Sequence, residues 1–197
     1  LNYVGLNVPV GRLSGDQLVT LARLAEQYGA GEVRLTIDQN LVLPGVPDAK
    51  LAELTAEPLL AALRYDPPGV LQGVVSCTGL EYCNLAVIET KQRALTVARE
   101  LASRLPANRH LSMHWSGCPA GCGNHAVADI GLVGTKTRHE GRVVEAVDVY
   151  VGGSAGPSPR AALKLLERVP CTELPGLLEG LARYGDFEGL RGRAERP

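Results

Sequence analysis

Apolar positions along the first 66 residues change period several times. Asn2 to Val8 reads as a strand, and the next segment opens on Ser14 with Gln17 three residues on, a reciprocal capping pair. Leu18, Leu21, Ala25 and Tyr28 then fall on one helical face, and Gly29 and Gly31 end the helix. Glu32 to Ile37 alternates as a strand does, Leu41 to Leu43 makes a second short strand, and Asp48 is placed to cap a helix through Leu51 and Leu54. The order strand, helix, strand, strand, helix is that of a ferredoxin-like half-sheet. Pro67-Pro68-Gly69 stiffens the chain and stops any helix, which makes it the natural linker between a domain at 1-66 and a second at 67-197.

In the second domain, Leu71 to Val75 reads as a buried strand that delivers Cys77 at its end. Ile88, Leu95, Ala98, Ala102 and Leu105 recur at helical spacing, so a long helix is expected to open at Cys83 and to close at Pro106. Such a helix would bring its N-terminal peptide dipoles toward a negatively charged thiolate site. Leu111 to Trp115 is expected as a strand feeding Cys118, followed by strands at Ile130 to Thr135 and Val143 to Val151, the last ended by Gly152-Gly153. Helices at Ala161 to Arg168 and Leu177 to Tyr184 are expected to cover the sheet, which makes the chain an α+β protein.

Composition narrows the function classes. With 197 residues and 45% hydrophobic content the chain can bury one or two cores, and a net charge of −1 gives no pull toward nucleic acid or an anionic membrane. No apolar stretch approaches the roughly 20 residues of a membrane span. Residues 1–66 carry five basic and eight acidic side chains, and the remainder 15 and 13, which is only a mild bias. There is no internal repeat or low-complexity segment.

The chemistry lies in the cysteines. Cys77 pairs with Cys83 and Cys118 with Cys122, the second pair inside Gly117-Cys118-Pro119-Ala120-Gly121-Cys122-Gly123. Four thiolates from two loops are what a [4Fe-4S] cube needs, one per iron, and Gly and Pro let a short loop curl round it. Zinc also takes four thiolates, but its paired ligands usually stand two to four residues apart, and five residues separate Cys77 from Cys83. Disulfides need an oxidising compartment, whereas five cysteines, an odd number without a secretory segment, point to a reducing one and to a cytoplasmic protein. Buried, unreactive thiols remain the plain alternative.

The runs Ser76-Cys77-Thr78-Gly79-Leu80-Glu81-Tyr82-Cys83 through Ile88-Glu89-Thr90-Lys91, His114-Trp115-Ser116-Gly117-Cys118-Pro119 and Asp129-Ile130-Gly131-Leu132-Val133-Gly134 closely resemble the sirohaem-containing nitrite and sulfite reductases. Upstream, Val4 to Ser14 and Gly31 to Asn40 resemble the ferredoxin-like domain that precedes the cluster domain in that family. The run ending in Lys91 is more similar to ferredoxin-dependent nitrite reductases than to sulfite reductases. The family is built from two related halves, each a ferredoxin-like half-domain followed by a larger mixed-sheet [4Fe-4S]/sirohaem domain, and this chain resembles the second. It begins with Leu1, and an N-terminal half or partner chain is expected to complete it.

The resemblance implies roles. Cys77, Cys83, Cys118 and Cys122 match the metal ligands of the [4Fe-4S] cluster, and Cys122 also matches the thiolate that bridges to the sirohaem iron. Gln39 and Asn40 match a segment facing the cofactor, although Asn is common in turns for backbone reasons. Arg34 could pair with a sirohaem carboxylate or with Glu32 or Asp38. Asn124, with His125, could supply polar contacts that Ala120 lacks where the family commonly has asparagine. His114 and Trp115 are expected to pack in the core, and Cys171 to be a structural or surface thiol. Lys91, Arg93, Lys136 and Arg138 are expected on a solvated face or a docking surface for acidic ferredoxin. The expected activity is the six-electron reduction of nitrite to ammonia with reduced ferredoxin as donor, or of sulfite to sulfide; the alternative is a non-catalytic electron carrier. The basic residues that bind the oxyanion come mainly from the family's first half, and no catalytic residue can be named here.

Overall fold

The computed structural model describes residues 1–187, 189 and 190, and divides into two units, Leu1–Pro67 and Pro68–Pro197. Glu188 and residues 191–197, which the sequence assigns to the second domain, lie outside the described residues.

In the first unit, β1 (Asn2–Leu6) leads through a tight turn at Pro9–Gly11 to α1 (Gly15–Tyr28), followed by β2 (Arg34–Leu35), β3 (Leu41–Val46), α2 (Asp48–Thr55) and α3 (Leu59–Ala62). The order read from the sequence is present, and the strands form an antiparallel sheet in the order β1-β3-β2. The capping box forms in full: the Gln17 N–H donates to Ser14 Oγ at 3.2 Å and the Ser14 N–H to Gln17 Oε1 at 2.9 Å. Leu18 is exposed, however, and Leu24 is buried, so the inward stripe is Leu21, Leu24, Ala25 and Tyr28, at steps of three, one and three residues. Those side chains pack with Val4, Leu6, Leu41, Leu43, Val46 and Leu54.

Two boundaries differ from expectation. Pro47 holds the N-cap position of α2 and Asp48 is its first helical residue, where its carboxylate still faces the positive end of the helix. The strand expected over Glu32 to Ile37 shrinks to two residues, because β2 is an edge strand that pairs only Arg34 and Leu35 with β3. Its alternation buries nothing: Leu35 is 80% and Ile37 90% exposed.

The second unit runs α4 (Gly69–Gln72), β4 (Val74–Ser76), α5 (Lys91–Arg104), β5 (Met113–Ser116), β6 (Ile130–His139), β7 (Arg142–Val151), β8 (Leu163–Pro170) and α6 (Leu174–Tyr184). Its sheet is mixed, in the order β4-β5-β6-β7-β8, with β4, β5 and β6 parallel and β6, β7 and β8 antiparallel. Glu140 and Gly141, both at positive φ, form the two-residue turn that joins the ten-residue strands β6 and β7, the geometry that suits the twist of a hairpin.

Three elements depart from the sequence reading. A helical turn after Pro68 occupies Gly69–Gln72, so the strand that reaches Cys77 begins at Val74 rather than Leu71. Ala161 to Arg168, expected as a helix, is largely strand β8. Leu163, Leu166 and Val169 pair with Val151, Val149 and Val147, three steps on one strand for two on the other. Register shifts absorb the extra residues, and the resulting spacing imitates a helical period. The third departure is at the cysteines. The helix does not open at Cys83 but at Lys91, because residues 80–88 spend their backbone bonds elsewhere. Leu80 N–H donates to the Ile88 carbonyl at 3.3 Å and Val87 N–H to the Gly117 carbonyl at 2.8 Å.

Candidate cluster site

β4 and β5 are parallel neighbours, so their C-terminal ends lie side by side, and each runs directly into a cysteine loop. Ser76 is the last residue of β4 and Cys77 follows; Ser116 ends β5 and Gly117-Cys118 follow. The Cys77 N–H continues the ladder to the Trp115 carbonyl at 2.9 Å, and the Gly117 N–H donates to Cys77 Sγ at 3.0 Å. That bond ties the second cysteine loop directly to the sulfur of the first.

The first loop is fastened by buried side chains. Thr90 is fully buried and its hydroxyl donates to the Cys77 carbonyl at 2.8 Å, while Lys91 Nζ donates to the Ser76 carbonyl at 3.1 Å. Gly79, at φ +70°, lies so close to Thr90 that an added Cβ would sit 2.5 Å from its hydroxyl oxygen. The second loop is fastened by what glycine lacks. A Cβ on Gly123 would sit 2.0 Å from the Trp115 carbonyl oxygen, and Gly121 turns the chain at φ +75° between Cys118 and Cys122. The Gly123 N–H donates to Ser116 Oγ at 3.2 Å, and that hydroxyl meets His125 Nδ1 at 3.3 Å. Burial, and then the neighbouring His114, push the His125 pKa below its ordinary value.

All five thiols are free; Cys77, Cys83 and Cys118 are half-buried and Cys122 is exposed. Among the described residues no three His, Cys, Asp or Glu side chains converge closely enough to hold a single ion. Thiolates on separate irons of a cube stand farther apart than those of a tetrahedral zinc, whose sulfurs lie about 2.3 Å from the metal. Four thiols on two loops that leave neighbouring parallel strands, one sulfur accepting a peptide N–H, have the number and chemistry of ligands that a [4Fe-4S] cube takes, one thiolate per iron.

Residues 1–61 match the nitrite/sulfite reductase ferredoxin-like half domain and residues 70–193 the nitrite and sulphite reductase 4Fe-4S domain. The chain belongs to the nitrite/sulfite reductase family. It is 50% identical over 187 residues to a ferredoxin–nitrite reductase of Synechococcus elongatus, covering 94% of this chain and 36% of that protein. It is 49% identical over 190 residues to the chloroplastic ferredoxin–nitrite reductase of Zea mays, covering 94% and 33%. The chain thus spans about a third of the length of these curated relatives. The structure of the Mycobacterium tuberculosis NirA protein superposes with a TM-score of 0.83 at 32% identity, over 93% of this chain and 35% of that one. Dissimilatory sulfite reductase I shares the fold, with a TM-score of 0.68 at 14% identity over 94% and 64%. The α+β reading, a ferredoxin-like half-domain followed by a mixed-sheet cluster domain, holds, and the cofactors of the family are the [4Fe-4S] cluster and sirohaem expected from the sequence. No helix among the described residues is long and apolar enough to cross a membrane.

The other sequence candidates are placed as follows. Asn40 Oδ1 accepts the Val8 N–H at 2.9 Å and Asn7 Nδ2 at 3.0 Å, and Gln39 adopts φ 60° against Gly11, so both residues brace the turn at Pro9–Gly11 within the first unit. Arg34, exposed, pairs with Glu32 at 2.5 Å, one of the two acidic partners anticipated for it. Asn124 takes the left-handed conformation, and its carbonyl meets His114 Nδ1 at 3.0 Å. His114 and Trp115 are buried, and Cys171 is a buried thiol whose pKa burial pushes up.

Two expectations about charge are corrected. Lys91 is buried and Arg93 is half-buried in an ion pair with Glu145, so neither lies on a solvated face; Lys136 and Arg138 do. The helix dipole does not reach the cysteines through Cys83. Its first turn is closed by Glu89, whose carboxylate accepts the Gln92 and Arg93 N–H groups at 2.9 Å each. Thr90, Lys91 and Ser116 escaped notice as parts of the site, and the paired signal that could have exposed them is a Thr-Lys dipeptide at a helix start downstream of a Cys-Thr-Gly turn.

Proposed function

We propose that this chain is the C-terminal half of a ferredoxin-dependent nitrite reductase, in which Cys77, Cys83, Cys118 and Cys122 bind a [4Fe-4S] cluster and Cys122 also reaches the iron of sirohaem. The observation that carries the reading is the pair of cysteine loops leaving neighbouring parallel strands and joined by the Gly117 N–H on Cys77 Sγ. When bound, the two groups supply one-electron transfer and an open iron position for an oxyanion. The chain's own work is to hold four thiolates in place. Thr90 and Lys91 fix the backbone at Cys77, the Gly117 N–H bonds its sulfur, and Gly121 and Gly123 let the second loop close on β5. Asn124, which follows Cys122 in the second loop, would contact the cofactor.

Relatives named ferredoxin–nitrite reductase support nitrite to ammonia, in six electrons from reduced ferredoxin, over sulfite to sulfide. The oxyanion-binding basic groups would come from an N-terminal half, in a reducing, cytoplasmic setting. Anaerobic purification with assay of iron, acid-labile sulfide and extractable tetrapyrrole tests the cofactors: about four irons and four sulfides per chain are expected, and zinc without sulfide overturns the reading. Little turnover is expected from the 197-residue chain alone, and restoration on adding the N-terminal half. A higher kcat/KM for sulfite than nitrite in the restored enzyme overturns the substrate assignment.

A further inference from the structure

Lys91 sits where an ammonium is costly. It is the first residue of α5, at the positive end of the helix, and it is only 9% exposed, so its charge is largely stripped of water. Its Nζ donates to the Ser76 carbonyl at 3.1 Å in a buried bond, which sets the charge one peptide away from Cys77. The adjoining Thr90 hydroxyl donates to the Cys77 carbonyl and stands 3.9 Å from Cys77 Sγ. Glu89 faces the other way, closing the first turn of α5. Of these three consecutive side chains, two therefore grip the end of β4, and the cation is one of them.

The geometry points to Lys91 as a positioning residue that raises the reduction potential of the cluster bound at Cys77, an inference that rests on the [4Fe-4S] assignment above. A cube held by four thiolates is anionic and gains one more negative charge when it accepts an electron. A fixed cation nearby stabilises the reduced form more than the oxidised one, and a water-poor surrounding strengthens that difference.

The test uses the 197-residue chain, reconstituted anaerobically with ferrous iron and sulfide and titrated with dithionite against redox dyes, with iron and sulfide assayed on the same sample. Lys91→Gln is expected to move the midpoint potential to more negative values at unchanged iron content, and Lys91→Arg to leave it near that of the parent. Thr90→Val, which removes a neutral bond to the same strand end, is expected to move it less than Lys91→Gln. An unchanged potential in Lys91→Gln, or an equal shift in Thr90→Val, overturns the inference and leaves the cluster assignment standing. Absence of iron and sulfide from the parent chain overturns both. If Lys91→Gln holds no cluster, Lys91→Arg decides: a cluster at the parent potential supports a role for charge, and loss of the cluster there too assigns Lys91 a steric role and overturns the inference.

Discussion

The two cysteine loops leave the same end of the sheet and are braced by different balances of side-chain bonds and close backbone packing. The loop from Cys77 to Lys91 is long and is secured by side chains, with Thr90 and Lys91 bonded to the carbonyls of Cys77 and Ser76. The loop from Gly117 to His125 is short and is secured chiefly by close backbone packing, since Gly123 lies against the Trp115 carbonyl with no room for a methyl group, with the Ser116 hydroxyl holding the Gly123 N–H. A site can thus be braced by adding polar groups to a buried segment or by removing bulk from it. The two devices fail differently: losing a side-chain bond costs one interaction, whereas adding an atom where the backbone already touches displaces the whole loop.

The largest effect tests what the loops share. Replacing Cys77, Cys83, Cys118 or Cys122 by Ser is expected to abolish or strongly reduce iron and sulfide content, because a hydroxyl is a poor ligand for cluster iron. Cys171→Ser is expected to keep it, since that thiol is buried at the end of β8, where its backbone N–H donates to the Glu145 carbonyl at 2.9 Å. Loss of the cluster in Cys171→Ser alone would reverse the assignment of the fifth cysteine.

The second prediction separates the loops. Gly123→Ala must push a methyl carbon into a backbone oxygen 2.0 Å away, so it is expected to destabilise the chain by about 3 kcal/mol or more, a severe effect for one methyl group. Urea unfolding of the cluster-free chain measures it, and a loss under about 1 kcal/mol would mean that the loop yields easily. Thr90→Val keeps the shape of the buried side chain and removes only its hydroxyl bond to Cys77, so a smaller loss of about 1–3 kcal/mol is expected in the same assay. Equal losses in the two variants would erase the distinction drawn between the loops.

The smallest effect is a pH dependence confined to the second loop. Burial, with His114 adding repulsion, depresses the folded-state pKa of His125 below the unfolded value of about 6.5. Between the two values the unfolded chain binds more protons than the folded one, so stability is fully present above about pH 6.5 and falls as the pH drops through the folded pKa. His125→Gln is expected to flatten that part of the stability profile of the cluster-free chain. A profile of unchanged slope would place the titration elsewhere.

The order of elements in the first unit was legible because local signals and burial agree there: the Ser14–Gln17 box, the glycines after Tyr28 and the apolar face of α1 all mark the same helix. The four cysteines and their loops stood out for a similar reason, as reactive side chains at distinctive spacing beside Gly and Pro. Periodicity misled where the partner strand set the spacing. Leu163, Leu166 and Val169 look helical only because bulged pairing with β7 takes three residues for every two. The start of α5 was equally hidden, since nothing local says that Val87 will give its N–H to Gly117, thirty residues downstream, rather than to its own turn.

The sequence by itself determined the family, the four thiols and the glycines that let two loops close, because these depend on residue identity and short-range conformation. Only the tertiary structure decided which neighbours those loops would have. Lys91 read as a surface charge is a buried donor one peptide from Cys77, and Asn40 is a brace for Val8 and Asn7. Both outcomes follow from long-range backbone pairing, which brings segments distant in sequence to one sheet edge or one turn and leaves their polar groups to satisfy each other out of reach of water.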